Sequence, residues 1–345
     1  MVRERETFAV DELAICLSHF DLGLISKVED FPRGSRRSPK IVIEAQKGKF
    51  LFKRRARGKD DLAKVAFTHQ IQLWLAAQSF PLPHLIGTRG DNNSMFVRNG
   101  TIYEMFEYIE GVPYDGSLDA TFHAGRVLAL YHKLLADFQS DYTPPQGSYH
   151  NAPAIRQAIR NTVRALPIDK RPSVEVLTAT VDTLENVYNT SAEKVNELGL
   201  NDWGKQIVHG DWHRGNMLFR DHNVVAVIDY DSARLQQRVI DFANGALQFS
   251  IIRKGDNLDE WPDHLDENRF KRFMRGYDSV NVISVAELKA VPHLMCESII
   301  AEAALPIGTT GLIGHLEGFP FLQMVERKVR WMLAHADHLY QVAAQ

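Results

Sequence analysis

One stretch of this chain constrains its fold more than any other. Residues 207–233, IVHGDWHRGNMLFRDHNVVAVIDYDSA, place polar side chains between two apolar runs. Ile207 and Val208 read as the end of a strand, His209 to Gly215 as a glycine-containing loop, and Met217–Phe219 with Val224–Ile228 as a hairpin that releases Asp229 at its end. Strands are stiff, so Asp211, Asn216 and Asp229 are delivered to one spot. A carboxylate, an amide and a second carboxylate at one point form an oxygen-rich set, the type that a hard divalent cation prefers.

The order of these residues resembles the catalytic pattern H-R-D-L-x-x-x-N of kinases. A His-x-Asp is present, an Asn follows that Asp by five residues, and Ile-Asp-Tyr-Asp stands where D-F-G would. Phosphoryl transfer asks a protein to position reactants and to neutralise charge on a loose transition state. In that chemistry Asp211 would accept the proton of an attacking hydroxyl, and Asn216 and Asp229 would hold Mg2+. His213 and Arg214 fall where they could donate to the transferred group, or His213 could simply bond the loop. His209 reads as a loop brace, Asp231 as a metal or loop contact or a solvated turn acid, and Asp241 as a structural acid bonding backbone amides near the loop. A competing pattern is His209-x-Asp211-x-His213, which alternates like three metal ligands of a hydrolase on one strand face.

Around this segment the chain changes character once. Residues 9–20 read as a short amphipathic helix; strands follow near Leu24–Val28, Lys40–Ala45 and Lys49–Arg54, then one helix over DDLAKVAFTHQIQLWLAAQ, then strands at Ser94–Val97 and Thr101–Glu107. Beyond YIEGVP the period becomes helical, with Val127, Tyr131, Leu134 and Phe138 on one face and Leu177, Val181, Leu184, Tyr188, Val195 and Leu198 on another. A final helix is expected over Phe321–Tyr340. The fold class is therefore α+β and bilobal: a small antiparallel-sheet lobe with one helix over residues 1–110, and a larger, mainly α lobe over 111–345.

With HGDxHxxN followed by IDxD, the chain resembles the superfamily of aminoglycoside phosphotransferases, homoserine kinases and choline kinases, which has the protein-kinase-like fold. GRVLALYHKLL (125–135) and FMRGY (273–277) support the resemblance. It implies an ATP-dependent kinase for a small-molecule hydroxyl, with ATP and Mg2+ as cofactors. It also implies that Lys53 in KFLFKRR pairs with the α- and β-phosphates and that the backbone near Glu107 and Ile109 meets adenine. Two departures accompany it. The first turn, FPRGSRRSPK, holds only Gly34 where a phosphate cover often has several glycines. The helix that should supply a Glu partner to Lys53 reads KVAFTHQIQLWL, with Thr68, His69 or Gln70 near the expected position and no acid. These departures keep a non-catalytic nucleotide-binding protein as an alternative.

Charge refines the partners. The formal net charge of −3 argues against global attraction to nucleic acid or membrane, yet residues 33–59 hold eleven Lys and Arg against Glu44 alone. That stretch is a solvated strand face, an attractor for a phosphate-bearing ligand or, as the least favoured reading because no nucleic-acid reader motif accompanies it, a nucleic-acid face. The segment GDNLDEWPDHLDENRF shows the opposite bias, which fits a helix-start loop or an amine-bearing acceptor. With two distant cysteines, no disulfide framework, and an apolar leader absent from MVRERETFAV, a cytoplasmic setting is expected.

Overall fold

The computed structural model describes residues 5–255 and 257–344. After helix α1 (Val10–Ser18) come strands β1 (Ile25–Asp30), β2 (Lys40–Ala45) and β3 (Gly48–Arg54), helix α2 (Leu62–Ala76), and strands β4 (Phe96–Arg98) and β5 (Thr101–Glu107). They form one antiparallel sheet in the order β1-β2-β3-β5-β4. Successive strand residues point to opposite faces, and the sequence uses both faces differently. Ile41, Ile43, Phe50, Phe52, Tyr103 and Met105 pack with Cys16, Phe20 and Leu22 into a small core. Lys53 and Glu104 project to the other face, where they meet. Arg54, one residue on, turns back to α1 and pairs with Glu12 and Glu6. Alternation thus sets Arg54 apart from Lys53 and Arg55 within the KRR run.

The larger body contains α3 (Leu118–Leu134), α4 (Pro153–Ala165), α5 (Val174–Glu197), strands β6 (Lys205–Val208), β7 (Met217–Arg220), β8 (Asn223–Val227) and β9 (Arg234–Gln237), and then α6 (Arg238–Ser250), α7 (Glu267–Asp278), α8 (Val285–Thr310), α9 (Gly318–Ala334) and α10 (Ala336–Ala343). Phe67, Ile71 and Leu75 of α2 belong to this body's core rather than to the small one. The two segments singled out by resemblance pack on each other: a Cβ at Gly125 would lie 2.1 Å from the Phe273 carbonyl oxygen, and one at Gly276 would lie 2.0 Å from that of Phe122. Only glycine lets α3 and α7 approach so closely.

β7 and β8 form the expected hairpin, whereas β6 pairs with β9, a strand the periodicity did not show. The expected final helix is two helices. At His335 the backbone leaves helical geometry (φ −115°, ψ 19°), and the imidazole stacks on Trp331 and hydrogen-bonds its carbonyl at 2.8 Å. Leu339 beyond the break is fully buried. By length and composition α8 could cross a membrane, but 78% of its most apolar window is buried within the protein, as suits a core helix.

Candidate active site

The loop between β6 and β7 is held from beneath by Asp241, in the first turn of α6. Its carboxylate accepts the His209 and Gly210 amides, each at 3.0 Å, and contacts the His132 ring at 3.1 Å, whose other nitrogen meets the Tyr277 hydroxyl at 2.8 Å. The structural role expected for Asp241 is the one observed. Gly210 has φ +75°, and a Cβ there would lie 2.4 Å from the Ser232 carbonyl oxygen, so a side chain fits on neither count. His209 is fully buried among Tyr131, Trp212 and Tyr230, with Nε2 3.3 Å from the Ile228 carbonyl. Burial pushes its pKa down and keeps it neutral. His209 therefore faces the interior, away from Asp211 and His213, and among the described residues no group of three His, Cys, Asp or Glu side chains converges as metal ligands. The hydrolase pattern has no geometric counterpart.

Asp211 faces the opening. Asn216 donates through Nδ2 to both the Asp211 carbonyl and its Oδ2, each at 3.0 Å, and His213 Nε2 lies 3.5 Å from the same oxygen. Burial opposes the charge on Asp211, but the interaction with His213 and the hydrogen bond from Asn216 outweigh it and hold the carboxyl below the usual range. Burial lowers and the Asp211 carboxylate raises the His213 pKa, and the rise wins. His213 Nδ1 accepts the Gly215 amide at 3.0 Å, which fixes its ring. Arg214 stands to one side, where burial and the nearby guanidinium of Arg253 weigh against its charge.

The amide arrangement at Asn216 matters for a cation. Its donors are spent on Asp211, and Oδ1 has no hydrogen-bond partner among the described residues. The Ile228 amide donates to the Asn216 carbonyl at 3.0 Å and so brings Asp229 alongside. Asp229 is exposed, adopts φ +65°, and has no hydrogen-bond or ion-pair partner among the described residues. A left-handed non-glycine residue costs roughly 1–3 kcal/mol and persists where surroundings impose it. An amide oxygen and a carboxylate from adjoining backbone are donors of the type Mg2+ takes, alongside waters and phosphate oxygens.

Across the opening lies the outer face of the sheet. Lys53 Nζ is 3.3 Å from Glu104 of β5, and the two residues are directly opposed in register. The acid missing from α2 is thus supplied by the neighbouring strand. Arg55 reaches Glu104 at 2.8 Å and Asp231 at 2.9 Å, and His69 of α2 meets Glu104 at 2.7 Å and Ser94 at 2.8 Å. Although full burial opposes charge on Glu104, Lys53, His69 and Arg55 together hold its pKa far below the carboxylate range. Lys40, opposite Lys53 on β2, hydrogen-bonds the Arg33 carbonyl at 3.3 Å, and its Nζ would lie 2.9 Å from a Cβ at Gly34, whose φ is +76°. Gly34 thus sits over Lys40 rather than in a glycine cradle. Where the chain leaves β5, the Glu107 amide is spent on the His84 carbonyl at 2.8 Å and the Tyr108 amide on that of Lys49 at 2.9 Å. The Ile109 amide has no acceptor among the described residues.

A pocket of about 350 Å³ opens beside Asp211, lined by Gly210, Arg234, Asn244, Ser298 and Glu302 among others. Gln248 donates to both Glu302 oxygens at 2.7 and 2.8 Å. Glu302 is exposed at the mouth of this pocket, and the protein packed around it, with Asp211 adding like charge against the help of Gln248, pushes its pKa up to about 7. The acids of residues 255–270 lie elsewhere: Asp263 and Asp259 pair with Arg327, Asp266 caps α7, and Glu267 meets His338. They serve the helix-start loop; Asp256 falls outside the described residues. Sequence reasoning missed Glu104, Arg55 and Glu302. The signal for two of them was an acid inside an apolar run, TIYEMFE and IIAEAALP.

Comparison with known proteins follows the same geometry. The family model described as phosphotransferase enzyme family matches residues 27–283. No curated protein matches the chain. An aminoglycoside phosphotransferase from Alicyclobacillus acidocaldarius superposes with TM-score 0.68 at 17% identity, covering 95% of each chain. An amicoumacin kinase in complex with AMP-PNP, Ca2+ and Ami gives 0.66 at 10% identity over 96% of this chain and 94% of that one. A microcompartment-associated aminopropanol kinase gives 0.65 at 14% identity over 98% and 99%. At these identities the likeness is one of fold.

Proposed function

The chain belongs to the phosphotransferase enzyme family, and from that premise we propose that it transfers the γ-phosphoryl group of ATP to a hydroxyl of a small, amine-bearing metabolite. One observation carries the reading: Asp211, ionised and oriented by Asn216 and His213, lines a pocket that also contains Glu302. In this reading the sheet and its helices up to residue 110 hold the nucleotide, and residues 111–345 hold the acceptor and the catalytic loop.

The acceptor hydroxyl sits against Asp211, which takes its proton as the new O–P bond forms and the bond to the ADP leaving oxygen breaks. Lys53 offers its ammonium to the α- and β-phosphates, while the Glu107 carbonyl and the Ile109 amide face adenine. His213, through Nε2–H, and Arg214 are placed to donate to the oxygens of the transferred group. Asn216 and Asp229 would hold Mg2+, which when bound screens phosphate charge. Glu302 answers for acceptor class: a carboxyl near Asp211 gains most from an ammonium between them, since that cation offsets both the desolvation and the Asp211 repulsion that raise its pKa.

The test is ADP release from Mg·ATP across amino alcohols, choline, homoserine, amino sugars and neutral sugars, with D211N as the blank. Turnover above the blank with an amine-bearing alcohol is expected. Equal ADP release from parent and D211N with every acceptor contradicts the proposal.

A further inference from the structure

We propose that Glu104 and Arg55 are positioning residues: together they set both the phosphate-facing Lys53 and the loop that carries Asp229. The inference rests on the nucleotide reading of this face. Glu104 is fully buried between two cations and an imidazole, with Lys53 at 3.3 Å, Arg55 at 2.8 Å and His69 at 2.7 Å. Because Lys53 and Glu104 are opposed Cα partners on adjacent strands, sheet register alone brings them together. The position of α2 does not enter. His69 from that helix supports the far side of the carboxylate and leans in turn on Ser94.

Arg55 extends the run across the opening. It is 7% exposed, and while Nη2 holds Glu104, Nη1 holds Asp231, which is 176 residues away in sequence and two beyond Asp229. A planar guanidinium spans two acids in fixed geometry, which the single ammonium of a lysine does not. The run His69–Glu104–Arg55–Asp231 therefore connects α2, the sheet and the loop after β8 by direct contacts. Buried charge clusters add little net stability, and a geometric role is the use that justifies one here.

Equilibrium ATP affinity, measured calorimetrically with Mg2+ and again in EDTA, tests the proposal on the full chain, alongside the melting temperature of each variant without nucleotide. E104Q should weaken ATP about tenfold or more in both conditions, since freeing Lys53 misplaces a phosphate contact. D231N, at the partly exposed end, should keep the EDTA affinity and lose about tenfold of the gain given by Mg2+. H69Q should lose less than either, and R55K should reproduce the D231N pattern. A loss in H69Q as large as in E104Q would mean that α2 sets the lysine, and would overturn the inference. So would E104Q and D231N affinities within twofold of the parent. If E104Q does not fold, the D231N and R55K results decide alone. A parent that fails to bind ATP overturns the nucleotide reading itself, an outcome distinct from a parent that binds and variants that do not differ.

Discussion

The catalytic loop and the sheet face opposite it solve the same problem, holding charge in place, by different means. In the loop the partners lie within one short stretch of chain: Asn216 and His213, within five residues, fix Asp211, and Asp241, about thirty residues on at the start of α6, fixes the amides beneath it. On the sheet face the partners come from β3, β5, α2 and the loop after β8. The loop carries its geometry as a motif, while the sheet face acquires its geometry only through register. An acid can therefore move from helix to strand on the sheet side without disturbing the lysine it serves, whereas no residue of the loop has such freedom.

The sharpest way to break this comparison is at the loop. D211N should lower kcat by about 10²–10⁴-fold, the range for a lost general base, with ATP affinity held near that of the parent. A comparable loss in ATP affinity would place Asp211 in nucleotide binding instead. Next in size is D241A, which strands two loop amides and His132 without their acceptor; it should cost about 3 kcal/mol in urea unfolding. On the other side, K53M should raise the ATP KM by about 10- to 100-fold and change acceptor KM little. Equal effects on both would erase the distinction between the two faces.

This contrast also explains what was legible beforehand. HGDWHRGN and IDYD exposed Asp211, Asn216 and Asp229 because hairpin and loop are contiguous, and the helix-start position of Asp241 exposed its amide contacts. The five strands of the sheet were readable from alternation. Glu104 was not, because pairing it with Lys53 requires knowing that β3 and β5 are neighbours with α2 outside them. Glu302 was hidden for a related reason: it lies on a 26-residue, largely buried helix whose face toward Asp211 is set by packing. The split of the last helix at His335 depends on a ring contact to Trp331 that periodicity does not encode.

The smallest predicted effect concerns acceptor recognition. With a pKa of about 7, Glu302 is largely neutral below that pH and anionic above it, so KM for an amine-bearing acceptor should fall as pH rises through 7, by up to tenfold per unit below it. Asp211, His213 and Arg253 face the same carboxyl, so the assignment needs E302Q, which should flatten the acceptor KM profile and leave that of ATP unchanged. A profile of the same shape in E302Q would remove Glu302 from acceptor binding.

The most direct measurement follows the phosphoryl group itself, by mass spectrometry of acceptor and protein during turnover with Mg·ATP. Direct transfer from ATP, with Asp211 as base, predicts a phosphorylated acceptor formed in step with ADP and a chain whose mass does not change. Release of inorganic phosphate with the acceptor unmodified, or a phosphorylated protein that forms and decays as product appears, would contradict it.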